Sequence, residues 1–150
     1  RMIGHLTYLS DDILHTKFGR DLRKGKIDFG FDVEFEIESY LEHLAIKFQD
    51  VFDANSYLYL SRSIDWFDLI DYGSSPEEVL GQTGLLNALV LGVKSDTLFP
   101  ISQQKEIAEY LSAGSTKVIY KSLSSIQGHD SFLVDIETFS REIKCFLENI

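Results

Sequence analysis

Apolar positions along residues 1 to about 72 recur at helical spacing, with no convincing alternation of the kind a half-buried strand needs. Ser10-Asp11-Asp12 offers a helix cap ahead of Ile13, Leu14 and Phe18, and Gly19 is a natural stop. The charged, glycine-punctuated stretch from Arg20 to Gly30 reads as a loop. From Val33 a second helix is expected, because Ile37, Tyr40, Leu41, Leu44 and Phe48 fall on one stripe. A third begins at Phe52-Asp53-Ala54-Asn55-Ser56 and runs through Ile64 to Phe67. Its apolar residues surround much of the helix, which suits burial or an oligomer contact.

From residue 73 the pattern changes. Gly73-Ser74-Ser75-Pro76 is a turn feeding a short helix, with Pro76 suited to the first helical position. The continuous apolar run Ala88-Leu89-Val90-Leu91-Gly92-Val93 is the signature of a parallel strand buried on both faces. A helix from about Ser102 to Leu111 follows, ending near Gly114, and then a second strand, Lys117-Val118-Ile119-Tyr120-Lys121. A last helix, Ile136 to Leu147, carries Phe139, Ile143, Phe146 and Leu147 on its inner face. Strand, helix, strand, helix is the order of an α/β fold. Two strands are too few for a parallel sheet covered on both sides, so further strands are expected from elsewhere. The chain also opens on Arg1-Met2-Ile3-Gly4-His5-Leu6, already structured in character, as a piece of a longer protein would. Neither an internal repeat nor a low-complexity segment is evident.

Composition narrows the functions open to such a chain. With 150 residues, 44% hydrophobic and 25% charged, it is a globular protein able to bury a core. A formal net charge of −10 argues against nucleic acid or an anionic membrane as partner, since phosphate would be repelled. One cysteine, Cys145, allows no internal disulfide and fits a reducing compartment. No apolar run approaches membrane-spanning length, so a cytoplasmic location is expected. His5, His15 and His43 lack the close spacing of a metal site, and phosphate-binding glycine motifs are absent. No metal and no bound cofactor are therefore expected. Asp11-Asp12, Glu34, Glu36 and Glu38 read as caps or solvated faces, and Trp66, Tyr57 and Tyr59 as packing residues.

Two positions obey the rule that active residues of parallel sheets stand beyond the carboxyl ends of strands. Asp96 follows the first strand in Lys94-Ser95-Asp96, and His129 follows the second in Gln127-Gly128-His129-Asp130. Acid after one strand and His after the next is the chain order of a Ser…Asp…His triad. On the pattern alone the alternatives stay open: Asp96 as a helix cap, and Gly-His-Asp as an ordinary loop.

Seven blocks occur in this order: Arg1-Met2-Ile3-Gly4-His5-Leu6-Thr7-Tyr8, Lys17-Phe18-Gly19-Arg20, Glu38-Ser39-Tyr40-Leu41, Lys47-Phe48, Phe52-Asp53-Ala54-Asn55-Ser56-Tyr57, Ser95-Asp96-Thr97-Leu98-Phe99-Pro100 and Gly128-His129-Asp130-Ser131-Phe132-Leu133. Together they resemble the C-terminal half of homoserine O-acetyltransferases of the α/β-hydrolase superfamily. The resemblance implies that residues 1–72 are a helical lid segment and 73–150 the C-terminal part of an α/β-hydrolase core, contributing its last two strands and helices. It further implies transfer of an acetyl group from acetyl-CoA, as co-substrate, to the hydroxyl of L-homoserine through an acyl-serine intermediate, a step in methionine biosynthesis. Asp96 then matches the triad acid, His129 the base, Arg1 the arginine that holds the substrate carboxylate, Tyr8 a tyrosine of the same pocket, and Asp130 the aspartate that meets the substrate ammonium. For Arg1 and Tyr8, a surface charge and a packing ring remain alternative readings. The resemblance also implies a homodimer built through the lid helices.

One departure from the family is plain: no Gly-x-Ser-x-Gly occurs in the chain. Without a serine nucleophile this stretch alone is expected to be inactive. The nearest rival functions are succinyl transfer, serine as acceptor, and ester hydrolysis by the same triad. Thr97, Leu98 and Phe99 beside the acid offer no cation for a succinyl carboxylate, which favours acetyl.

Overall fold

Local sequence sets where several helices begin. A computed structural model describes residues 1–49 and 51–150, which form two compact units, Arg1–Phe67 and Asp68–Ile150. In the first unit, α1 (Met2–Tyr8) is followed at once by α2 (Asp11–Lys17). The Ser10 hydroxyl accepts a hydrogen bond from the Ile13 amide, satisfying one of the donors a helix start leaves bare, and such a cap contributes about 1 kcal/mol. Gly19 closes this segment with φ of 49°, a left-handed conformation that glycine adopts without strain.

The expected loop after Gly19 is tied down by carboxylates. Glu34 accepts from the amides of Asp28 and Gly30, and Glu38 accepts from those of Glu34 and Phe35, both at 2.9 Å. Those two amides hold the Glu38 carboxyl below the usual carboxylate range, as hydrogen bonds to the charged form do. Glu38 thus caps α3 (Glu36–Gln49), one of the two roles, cap or solvated face, that the sequence left open. The stripe Ile37, Tyr40, Leu41, Leu44 and Phe48 is half-buried along the whole helix. Tyr40 meets Phe18 at 4.9 Å and His5 at 6.1 Å between ring centroids, while His5 meets Tyr8 at 5.6 Å. Asp53 caps α4 (Ala54–Asp65) through the Ser56 amide. In contrast to α3, α4 exposes Tyr57, Leu58, Tyr59, Leu60 and Ile64. Within this chain it is not a buried helix.

In the second unit, a 3₁₀ turn (Leu69–Tyr72) leads to α5 (Pro76–Gly81), started by Pro76 and capped by the Ser75 hydroxyl on the Glu78 amide. Strand β1 (Asn87–Val93) and strand β2 (Lys117–Leu123) pair in parallel from Asn87↔Lys117 to Val93↔Leu123. Helix α6 (Ile101–Ser112) makes the crossover between them. Its Ala108 and Leu111 pack on Val90, with Leu80, Ala88, Val118 and Tyr120 around them. Each large apolar side chain so buried contributes roughly 1.5–3 kcal/mol. Alternation along β2 turns Lys121 to the opposite face, where its Nζ lies 2.8 Å from Glu142 Oε2 of α8 (Ile136–Leu147). A 3₁₀ turn (Gly128–Asp130) and the short α7 (Ser131–Val134) connect β2 to α8.

Burial here departs from the sequence expectation. Only Val90, Gly92 and Val93 of β1 are fully buried, and Ile143 and Leu147 of α8 stay exposed. The reason is the extent of the sheet: among the described residues it has two strands, so little lies over the remaining apolar positions.

Candidate active site

Both strands end at the same level of the sheet, Val93 opposite Leu123, and each hands the chain to a loop that carries one polar side chain of interest. After β1 the backbone turns, with the Asp96 amide donating to the Val93 carbonyl. Asp96 Oδ1 accepts from the amides of Leu98 and Phe99, both at 2.9 Å. Its other oxygen, Oδ2, lies 2.9 Å from His129 Nδ1. Asp96 is therefore a turn-capping residue and a partner of His129 at once. It does not cap α6, whose first position is preceded by Pro100.

His129 is delivered by the loop after β2. Gly128, buried and at φ of 69°, makes the sharp turn that swings the imidazole toward Asp96. A carboxylate can only accept, so Nδ1 donates and the proton of the neutral ring sits there. Nε2 is then the basic nitrogen. Side-chain exposure is 11% for Asp96 and 20% for His129, so the pair is sheltered but reachable. Phe99 and Phe132 flank the imidazole edge to face at 4.9 and 6.0 Å between centroids. With Leu91, Val93 and Phe139 these rings line a cleft of about 390 Å³ into which Asp96 and His129 both open. An apolar cleft with a carboxylate-oriented imidazole at its wall can take a proton from a hydroxyl and return it.

The other expected site residues lie as follows. Asp130 is next to His129, half-buried at the N-terminus of α7. Arg1 and Tyr8 belong to the first unit, at the two ends of α1. The Arg1 guanidinium sits 4.6 Å from the centroid of the Phe48 ring and 5.9 Å from that of Tyr8, a cation–π arrangement that keeps its fork together with both rings. A pocket there is lined by Arg1, Phe48, Phe52 and Tyr57. Sequence reasoning missed the contribution of Phe99, Phe132 and three serines, Ser95, Ser125 and Ser131, which hydrogen-bond around the two loops. Ser95, Phe99, Ser131 and Phe132 fall inside the quoted blocks, but nothing local marks them as neighbours of the imidazole. Among the described residues no three His, Cys, Asp or Glu side chains gather as a metal ion requires, and no helix is long and apolar enough to cross a membrane.

Known proteins match the chain from end to end. It is 46% identical over 154 residues to the homoserine O-acetyltransferase of Methanohalobium evestigatum, a match covering 99% of this chain and 30% of that protein. It is 41% identical over 151 residues to the homoserine O-succinyltransferase of Nitrosomonas europaea, covering 100% of this chain and 40% of that protein. The crystal structure of the homoserine O-acetyltransferase from Bacillus anthracis superposes with a TM-score of 0.83 over 97% of this chain and 39% of that one, at 20% sequence identity. That likeness establishes the fold. The resemblance to homoserine O-acyltransferases thus holds over the whole chain, which spans well under half the length of each of these relatives. No family model matches the chain.

Proposed function

We propose that the chain supplies the acid and base of a homoserine O-acetyltransferase whose nucleophilic serine lies on other polypeptide of the same protein. The observation that carries this reading is the 2.9 Å contact of Asp96 Oδ2 with His129 Nδ1, beyond the ends of adjacent parallel strands, in a chain with 46% identity to an enzyme of that name. In this reading residues 73–150 are the C-terminal part of an α/β-hydrolase core and residues 1–72 a helical lid segment.

His129 Nε2 takes the proton of the serine hydroxyl as that oxygen attacks the thioester carbonyl of acetyl-CoA. Asp96 holds the tautomer and stabilises the imidazolium. The thiol of CoA leaves with the proton, and the acetyl-serine remains. The homoserine hydroxyl then gives its proton to Nε2, attacks the acetyl-serine and restores the enzyme. Splitting one displacement into two is what covalent catalysis provides. Arg1 binds the homoserine carboxylate through its planar fork, Tyr8 lines the same pocket, and Asp130 meets the ammonium. No Gly-x-Ser-x-Gly occurs in residues 1–150, so this stretch by itself carries no acyl group.

Acetyl is favoured over succinyl because, among the described residues, those lining the cleft beside Asp96 include neither lysine nor arginine to meet a second carboxylate. The second reading, succinyl transfer, has support of its own in the 41% identity to the Nitrosomonas europaea protein. Exposed Tyr57, Leu58, Tyr59 and Ile64 on α4 favour a homodimer built through the lid helices, and sedimentation at the monomer mass of 17.1 kDa at high concentration would count against it. The deciding experiment assays the full-length protein with acetyl-CoA or succinyl-CoA, with and without L-homoserine. CoA release that needs homoserine and prefers acetyl-CoA is expected. Release without acceptor would make the protein a hydrolase, and preference for succinyl-CoA would overturn the donor assignment.

A further inference from the structure

We infer that Ser95 is a positioning residue for the Asp96–His129 pair, acting through the loop that carries the imidazole. The inference rests on the acid–base reading of that pair. The backbone ladder between the two strands ends with the Lys94 amide donating to the Leu123 carbonyl at 3.0 Å. Beyond that point the β1–β2 ladder no longer holds the two loops in register, yet the acid and the base must meet across 33 positions of sequence.

The Ser95 hydroxyl joins the two loops. Ser95 Oγ donates to the Ser125 carbonyl at 2.7 Å and accepts from the Gly128 amide at 3.1 Å. It therefore grips both ends of the short segment that turns back to present His129. Further hydrogen bonds stiffen that segment: the Gln127 amide donates to Ser125 Oγ at 3.3 Å, and the fully buried Ser131 hydroxyl donates to the Gly128 carbonyl. Gly128, the residue immediately before the imidazole, is thus held on its amide by Ser95 and on its carbonyl by Ser131. Because Ser95 is covalently next to Asp96, the same residue that holds the base loop also sets the position of the acid. The role needs a donor and an acceptor on one short side chain. Serine and threonine supply both, alanine supplies neither, and cysteine supplies weak versions of each.

The test reads the tautomer of His129 in the uniformly ¹⁵N-labelled chain by long-range ¹H–¹⁵N correlation, at a pH where the ring is neutral. The His129 signals are assigned by their loss in His129→Gln. The native chain is expected to carry the proton on Nδ1. Asp96→Ala should move it toward Nε2, the preference of imidazole in water. Ser95→Ala should shift the population in the same direction, by less, with amide resonances outside the two loops unchanged, and Ser95→Thr should restore the native pattern. A general loss of stability would not single out one imidazole in this way. If Asp96→Ala leaves the tautomer untouched, the acid–base reading itself fails. If Asp96→Ala shifts it and Ser95→Ala does not, only the role of Ser95 is overturned. Should Ser95→Ala not fold, Ser95→Cys keeps the volume with weaker hydrogen bonds, and a native tautomer there likewise overturns the inference.

Discussion

Replacing Asp96 by asparagine keeps the shape of the side chain and changes what each of its atoms can do. In the native loop Oδ1 accepts from two backbone amides, those of Leu98 and Phe99, while Oδ2 accepts from His129. An amide offers one oxygen and one nitrogen. Turning the nitrogen toward the loop would set it against two backbone donors and leave both unsatisfied, at about 1–3 kcal/mol each. The oxygen therefore stays at the Oδ1 position, and the amide nitrogen faces His129. Nδ1 must then accept rather than donate, so the ring proton moves to Nε2. The lone pair that takes the nucleophile's proton in the proposed mechanism is gone. In a triad altered in this way, with geometry intact, kcat falls about 10⁴-fold, and at 1.36 kcal/mol per tenfold that is roughly 5.5 kcal/mol of transition-state stabilisation. The backbone hydrogen bonds of the loop survive, so folding should change little. The assay is acetyl transfer to homoserine by the full-length protein, paired with the ¹⁵N tautomer measurement on the chain. An Asp96→Asn enzyme turning over within tenfold of native, with the proton still on Nδ1, would refute the reasoning.

Other consequences are testable on the chain or on the full-length protein. A Cβ added at Gly114 would overlap the Gly81 carbonyl oxygen, so the end of α5 would have to move off the turn that follows α6. Overpacking of this kind costs about 1–3 kcal/mol, and Gly114→Ala should lower Tm by about 5–20 °C in a unit this small. Gly81→Ala, whose Cβ would meet Gly114 N at 3.1 Å, should cost less, and equal calorimetric midpoints for the two variants would contradict the packing argument. The hydrogen bond from Lys121 holds the Glu142 carboxyl below its usual range, and the same pair lifts the Lys121 ammonium above its own. The pair stabilises the fold at neutral pH, an effect lost as pH falls through the depressed carboxyl value and again as it rises through the elevated ammonium value. Glu142→Gln should therefore lower Tm near neutrality, with the gap from native closing toward both extremes; a gap constant with pH would be inconsistent with the pair. Arg1→Ala in the full-length protein should raise KM for homoserine about 10–100-fold, the range of a lost charge-assisted hydrogen bond. An unchanged KM in steady-state kinetics would overturn the proposed role of Arg1 in binding the homoserine carboxylate.

What the sequence made legible is what short-range rules govern. The stripe on α3 lies where its period puts it, the continuous apolar run from Ala88 to Val93 lies in β1, and Ile136–Leu147 matches the expected last helix at both ends. Ser75 and Pro76 announce α5, because a cap hydroxyl and a fixed φ act on the very next turn. Burial was less legible. The apolar content of β1 and α8 describes what those elements prefer to touch, whereas exposure in the fold depends on which other segments are there to touch them. The same limit applies to α4, whose apolar surface pattern alone does not separate a buried helix from an exposed one. The stretch from Arg20 to Gly30 was legible as a loop but not as an ordered one, since its order comes from Glu34 reaching back to amides several residues away, and the helix expected from Val33 starts only at Glu36.

The candidate site divides along the same line. Asp96 and His129 could be found because each follows a strand, a relation between neighbours in sequence. Ser95 could not, because its hydroxyl works on Ser125 and Gly128, 30 and 33 residues on, and nothing near it in the chain announces those partners. Yet the contacts among the described residues that bring acid and base together lie in one unit: two parallel strands in register, the β1 turn capped by Asp96 itself, and a serine joining the loops. The geometry of the pair accordingly depends on contacts within residues 87–131 rather than on the arrival of a nucleophile. It follows that the tautomer of His129 should be set before any serine or substrate is present. A chain of these 150 residues and the full-length protein should therefore give the same ¹⁵N pattern for this ring, and a pattern that forms only in the full-length protein would mean that the pair is assembled by segments outside it.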